Sequence, residues 1–118
     1  MKQIEKETPD FTQKVTTMTW DGDEYCMIEF PKMHRGGVLT RNGLMVDKFE
    51  RRFVGGYSPL SGQQILMIAD YMWWADNEDS ILAWMDDNLP RGADHQQGMI
   101  LTFDTKQDLM LFLLRWQA

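Results

Sequence analysis

The chain has a single cysteine, Cys26, among its 118 residues. An intrachain disulfide is therefore excluded, which separates the protein from small secreted scaffolds and fits a reducing compartment. Long apolar runs are missing as well. The longest, Leu109 to Leu114, has six residues, whereas a membrane-spanning helix needs about 20. The opening stretch Met1-Lys2-Gln3-Ile4-Glu5-Lys6-Glu7 is charged where a signal peptide is apolar. These shortages set the expectation of a cytoplasmic protein that avoids the membrane. Basic residues are also scarce: 12 Lys and Arg stand against 18 Asp and Glu, a net charge of −6. That balance opposes non-specific binding of nucleic acid by the whole surface.

Groups that perform chemistry are equally thin. The two histidines, His34 and His95, fall in loops, with no spacing to each other or to Cys26 that defines a nucleophile–base pair. A free cysteine within a strand more commonly behaves as a small buried hydrophobe. Asp76-Asn77-Glu78-Asp79 and Asp86-Asp87 offer oxygen ligands, but the first lacks the Asp-x-Asp-x-Asp-Gly layout and distal Glu of a calcium loop. Acids placed at a helix start explain it more simply. Three scattered Cys and His residues do not make a transition-metal site. Gly36-Gly37 and Gly55-Gly56 belong to no phosphate-binding pattern and read as strand punctuation. No catalytic residue, metal or cofactor is expected, and the chain reads as a binding protein rather than an enzyme.

What is present suits a folded domain. The composition is 43% hydrophobic and 12% aromatic, with five Trp and ten Met. The length is that of one domain able to bury a core without staples. We expect one α+β domain over 1–118, with 1–12 as an irregular lead-in. Val15 to Trp20 and Tyr25 to Phe30 are strand-like, and Asp21-Gly22 between them suits a hairpin turn. Asn42-Gly43, between Val38-Leu39-Thr40 and Leu44-Met45-Val46, predicts a second hairpin. Residues 47–54 read as either helix or strand, ended by Gly55-Gly56. Ser58-Pro59, or Ser61 with Gln64, would cap a helix reaching Trp74. Its stripe is Ile65, Ile68, Ala69, Met72 and Trp73. A break at Asp76-Asn77 would lead into a second helix that Pro90 stops. A polar loop over 91–98 and a strand over 99–103 follow. Thr105 and Asp108 then open a last helix to about Trp116 that is apolar almost all round. The sum is α+β: a mainly antiparallel sheet of two hairpins plus a C-terminal strand, packed with about three helices.

Charge is polarised along the chain. Residues 32–52 hold six Lys and Arg against Asp47 and Glu50, and residues 70–94 hold seven acids against Arg91. The plain explanation is that the two regions face each other or are simply solvated. Two functional explanations compete with it. In the first, Met67, Tyr71 and Trp74 form a second apolar stripe on the 61–74 helix, of residue types that dominate interface hot spots. The acids Asp76, Glu78, Asp79, Asp86 and Asp87 would then steer toward a basic protein surface. In the second, Arg35, Arg41, Lys48, Arg51 and Arg52 hold phosphates while Phe49 stacks on bases of RNA or single-stranded DNA. A homo-oligomeric structural role, with helix faces buried between copies, is a third.

The C-terminal string runs Met99-Ile100-Leu101-Thr102-Phe103-Asp104, then Lys106 to Trp116 with Phe112, Leu114 and Trp116 as Phe-x-Leu-x-Trp. It resembles the ending of small accessory proteins of tailed bacteriophages. The resemblance covers about the last 20 residues and carries no catalytic residue. It implies a phage protein in the host cytoplasm that acts on host machinery, for example as an inhibitor of restriction or CRISPR defence.

Overall fold

Two-residue turns organise the first part of the chain. In the computed structural model, residues 12–30, 36–46, 48, 50–57 and 64–117 are described. They group into two compact units, Met1–Asp47 and Lys48–Ala118.

The first unit is a four-stranded antiparallel meander of β1 (Lys14–Trp20), β2 (Asp23–Glu29), β3 (Gly37–Arg41) and β4 (Leu44–Met45) in that spatial order. Asp21 and Gly22 have φ of 55° and 85°, and Asn42 and Gly43 have 52° and 83°. These are the left-handed values of a type I′ turn, whose twist matches that of the strands it joins. Asn42 locks its own turn: its side-chain oxygen accepts from the Glu24 backbone N–H (2.9 Å), and its amide donates to Asp23 (2.9 Å). Alternation then divides the sheet. Met18, Tyr25, Met27 and Leu39 are buried on one face, in registers Met18↔Tyr25 and Met27↔Leu39. Val15, Thr17, Cys26, Ile28, Val38 and Thr40 are exposed or half-buried on the other.

The second unit holds a four-stranded antiparallel sheet of order β5-β6-β8-β7, from β5 (Phe53–Tyr57), β6 (Gln64–Ile68), β7 (Gln96–Gln97) and β8 (Ile100–Thr102). It is completed by α1 (Tyr71–Asn88), a 3-10 turn over Gly92–His95, and α2 (Lys106–Trp116). Asp70 caps α1, its carboxylate accepting from the Trp73 N–H at 3.1 Å. Leu89 leaves the helix in an extended conformation (φ −118°, ψ 148°), as a residue before proline must. Thr105 caps α2 by accepting from the Asp108 N–H at 3.1 Å, as its spacing predicts.

The α+β class, both hairpins and the last helix match the sequence reading. The middle of the chain does not. Residues 64–68 form β6, the strand between β5 and β8, and not a helix. Ile65, Leu66, Met67 and Ile68 are a continuous apolar run because both faces of that strand are covered; such a run carries no period that tells strand from helix. The helix begins only at Tyr71 and crosses Asp76-Asn77 without a break. Among the described residues the strands divide between two sheets rather than one, and two α-helices and a 3-10 turn accompany them, roughly in keeping with the expected three helices. Gly55-Gly56 does not end a segment but lies inside β5, with φ of 116° and 148°, values that only glycine adopts freely. The polar loop contains β7. All but the last residue of the expected lead-in over 1–12, and the caps at Ser58-Pro59 and Ser61, lie outside the described residues.

Candidate partner-binding surface

Seven aromatic rings fix what the second unit shows to solvent. Phe53 of β5 meets Phe112 of α2 at 5.3 Å between centroids, and Trp73 and Trp74 of α1 at 5.8 and 6.2 Å. Trp84 contacts Phe112 and Trp116 at 6.1 and 6.3 Å, and Phe103 closes on Phe112 at 5.4 Å. Most of these pairs are edge-to-face, the orientation favoured by ring quadrupoles. The cluster determines the rotation of each helix, and with it the outward face.

On α1 the inward positions are Trp74, Ile81 and Met85, all 0% exposed. Met67 of β6 is also 0% exposed. Met67 and Trp74 therefore do not form an outward anchor stripe, because they lie on different elements and both serve the core. Tyr71, at the first turn of α1, is half-buried. The Trp74 indole donates to Glu78 at 3.1 Å, so Glu78 answers a buried N–H rather than facing a partner. Asp86 is also engaged: its Oδ1 accepts from the Ala93 N–H at 2.8 Å and tethers the 3-10 turn. Asp76, Asp79 and Asp87 are exposed and make no hydrogen bond or ion pair among the described residues. With Met72 they form a row on the outer face of α1, a helix with no Lys or Arg. The acids stand mid-helix and at the C-terminal end, where the helix dipole disfavours Asp87. The helix-start explanation of this cluster thus fails.

On α2 the inward row is Leu109, Phe112 and Trp116, spaced i, i+3, i+7. The remaining apolar residues point outward: Met110 is 46% exposed, Leu111 42% and Leu114 82%. With Lys106 and Gln107 they line a shallow groove of about 420 Å³. Single exposed apolar side chains are ordinary, but a contiguous row of large ones marks an interaction surface. The sequence showed a helix apolar all round. The separate signal for its outer face is that the aromatics of α2 fall on one stripe and Met110, Leu111 and Leu114 on the other.

The basic set is described only in part. Arg35 and Phe49 lie outside the described residues. Arg41, half-buried in β3, sits over the Tyr25 ring at 5.6 Å. Arg52 lies over Trp73 at 4.1 Å and donates to the Trp116 carbonyl at 3.0 Å, so it braces the core. Lys48 and Arg51 are exposed.

His95 has a structural environment. It is 0% exposed, stacks on Phe103 at 5.4 Å, meets the Thr102 carbonyl through Nδ1 at 2.8 Å and accepts the Arg91 N–H at Nε2 (3.2 Å). Arg91 also binds Asp104 at 3.0 Å and the Thr102 carbonyl at 3.1 Å, closing a network that holds the 3-10 turn to β8. Cys26 lies beside Thr17, Sγ to Oγ1 at 3.2 Å, and His34 lies outside the described residues. Among the described residues no group of three or more His, Cys, Asp and Glu is arranged to hold a metal, and no helix is long and apolar enough to cross a membrane.

No protein-family model, no curated protein and no solved structure matches the chain.

Proposed function

We propose that the protein is a non-enzymatic binding protein that docks on a partner protein through the outer face of α2 and occludes part of the partner's surface. The observation that carries this reading is the row Met110, Leu111 and Leu114, exposed on a helix whose opposite face is already packed. Water-exposed Met and Leu gain transfer free energy only if something covers them. Met adapts its shape to a partner. The acids Asp76, Asp79 and Asp87, with no basic residue on their helix, add a charge preference for a basic partner. In the setting the C-terminal resemblance implies, that partner is a component of host machinery, such as a defence protein whose nucleic-acid surface is basic.

The test is affinity capture by the tagged full chain from a lysate of the native host, at two salt concentrations and with nuclease in parallel. The reading expects one protein in stoichiometric amount that survives nuclease and is lost from a Leu111→Glu/Leu114→Glu variant. Recovery of nucleic acid that disappears at the higher salt would instead bring Lys48 and Arg51 forward and overturn it.

A further inference from the structure

The second hairpin turn of the first unit holds a reactive side chain. Asn42, Asn77 and Asn88 are the asparagines of the chain, and only Asn42 precedes a glycine. Asparagine is a thermally labile residue, because the backbone nitrogen that follows it can attack its side-chain carbonyl carbon and close a cyclic imide. A glycine in the following position has no Cβ to hinder that approach, and a Cβ on Gly43 would meet nothing within 4 Å. Asn77 and Asn88 lack both advantages. Each donates its side-chain amide to a carbonyl one turn back, Trp73 and Trp84 at 2.8 Å. Their following residues are Glu78, within α1, and Leu89, whose N–H is committed to the Met85 carbonyl at 2.9 Å.

Three hydrogen bonds clamp Asn42. Its backbone N–H donates to the Glu24 carbonyl at 2.7 Å. Its side-chain oxygen accepts from the Glu24 N–H, and its side-chain amide donates to the Asp23 carboxylate, both at 2.9 Å. Ring closure draws the side-chain carbonyl carbon onto the Gly43 nitrogen and expels Nδ2. It therefore breaks both side-chain bonds, and in the folded chain it must wait for a local opening of the turn.

We propose that Asn42 is a spontaneous modification site gated by this clamp, and that its conversion is a one-way switch in the first unit. When the turn opens, the Gly43 backbone nitrogen attacks Cγ of Asn42. The new N–C bond forms, the Cγ–Nδ2 bond breaks, and Nδ2 leaves as ammonia with the proton of the Gly43 nitrogen. Water then opens the imide at either carbonyl and leaves aspartate or isoaspartate at position 42. One water is consumed, one ammonia is released, and nothing is oxidised or reduced. The product cannot rebuild the clamp. An ionised carboxylate only accepts, so the bond to Asp23 loses its donor, and two carboxylates stand where amide and carboxylate were 2.9 Å apart. Like charges opposed across strands weaken their pairing. The turn is thereby released at the strand that carries the exposed side chains Leu44 and Met45.

Peptide mapping by mass spectrometry reads the conversion of each asparagine in the full chain, incubated in mildly alkaline buffer with and without denaturing urea. In urea, position 42 should convert faster than positions 77 and 88. In native buffer it should convert about tenfold more slowly than in urea, the factor that one hydrogen bond to a charged group supplies. Asp23→Ala should raise the native rate about tenfold and leave the rate in urea unchanged. Asp23→Asn, whose side-chain oxygen still accepts, should fall between Asp23→Ala and the wild type, which separates loss of the bond from loss of the fold. A second measurement reads the product state: hydrogen exchange of the Glu24 amide should be faster in Asn42→Asp than in the wild type. Equal rates in native buffer and urea, faster conversion at 77 or 88, an Asp23→Ala rate like that of the wild type, or unaltered Glu24 exchange in Asn42→Asp overturns the proposal. Nothing in this test touches α2, so its failure leaves the function proposed above standing.

Discussion

The two helices of the second unit use their outer faces in opposite ways. The outer face of α1 is a row of carboxylates around Met72, and that of α2 is a row of Met and Leu beside Lys106 and Gln107. Their inner faces are alike: Trp74, Ile81 and Met85 on one, Leu109, Phe112 and Trp116 on the other, all buried, with Trp74 and Phe112 both meeting the Phe53 ring. A fold needs only the inner faces. The outer face of α1 resembles an ordinary soluble surface of unusual charge. The outer face of α2 leaves apolar area in water with no return to the stability of the chain, and on that contrast the proposed docking face rests.

The largest effects on stability should come from the inner faces. Replacing Trp74 or Phe112 by Ala empties a site that is 0% exposed and should cost about 3–5 kcal/mol, read as a shift in the urea midpoint. Met110→Ala, on the same helix as Phe112 but half exposed, should stay within about 0.5 kcal/mol. Equal losses at Phe112 and Met110 would mean that the α2 outer face is part of a core.

A middle tier tests the loops that set the helices. Gly92 has φ 55°, and a Cβ there would overlap Asp86 Oδ1. Gly92→Ala should therefore destabilise by about 1–2 kcal/mol, and Asp86→Ala by about 1 kcal/mol through loss of the bond to Ala93. Thr105→Ala should cost about 1 kcal/mol by uncapping α2. Thermal melts followed by circular dichroism distinguish these from the core variants. A neutral Asp86→Ala would return that carboxylate to the set of candidate contacts.

The smallest stability effect belongs to the acids that face water. Asp79→Lys and Asp87→Lys should change stability by no more than about 0.5 kcal/mol, and Asp87→Lys in the stabilising direction, since a cation suits the C-terminal end of a helix. Binding of the captured partner should nevertheless weaken, and weaken less as salt is raised. Unchanged binding at low salt would reduce the α1 row to a solubilising surface.

The same contrast separates what could be read from the sequence from what could not. Asp21-Gly22, Asn42-Gly43 and the Thr105–Asp108 cap were legible because each is settled by a few neighbouring residues and the φ values or hydrogen bonds they allow. Residues 64–68 were not. Whether Ile65 to Ile68 is a strand depends on β5 and β8 flanking it, and β8 comes more than 30 residues later in the chain. That one misreading carried Met67 and Trp74 into a shared surface stripe and placed a helix boundary at Asp76-Asn77. The surroundings of two basic residues were hidden for a related reason. Arg41 and Arg52 lie over Tyr25 and Trp73, contacts that no local spacing announces. The apolar excess of α2 was visible, but its division into inner and outer rows required knowing which side met Phe53.

The most direct test of the central claim combines two readouts on one variant, Leu111→Glu/Leu114→Glu in the full chain: the urea midpoint and capture of the nuclease-resistant partner. The account predicts a midpoint close to that of the wild type and a partner lost from the capture. A midpoint that collapses, or a partner retained at wild-type amount, would show that the outer face of α2 serves the fold or serves nothing, and would contradict the claim.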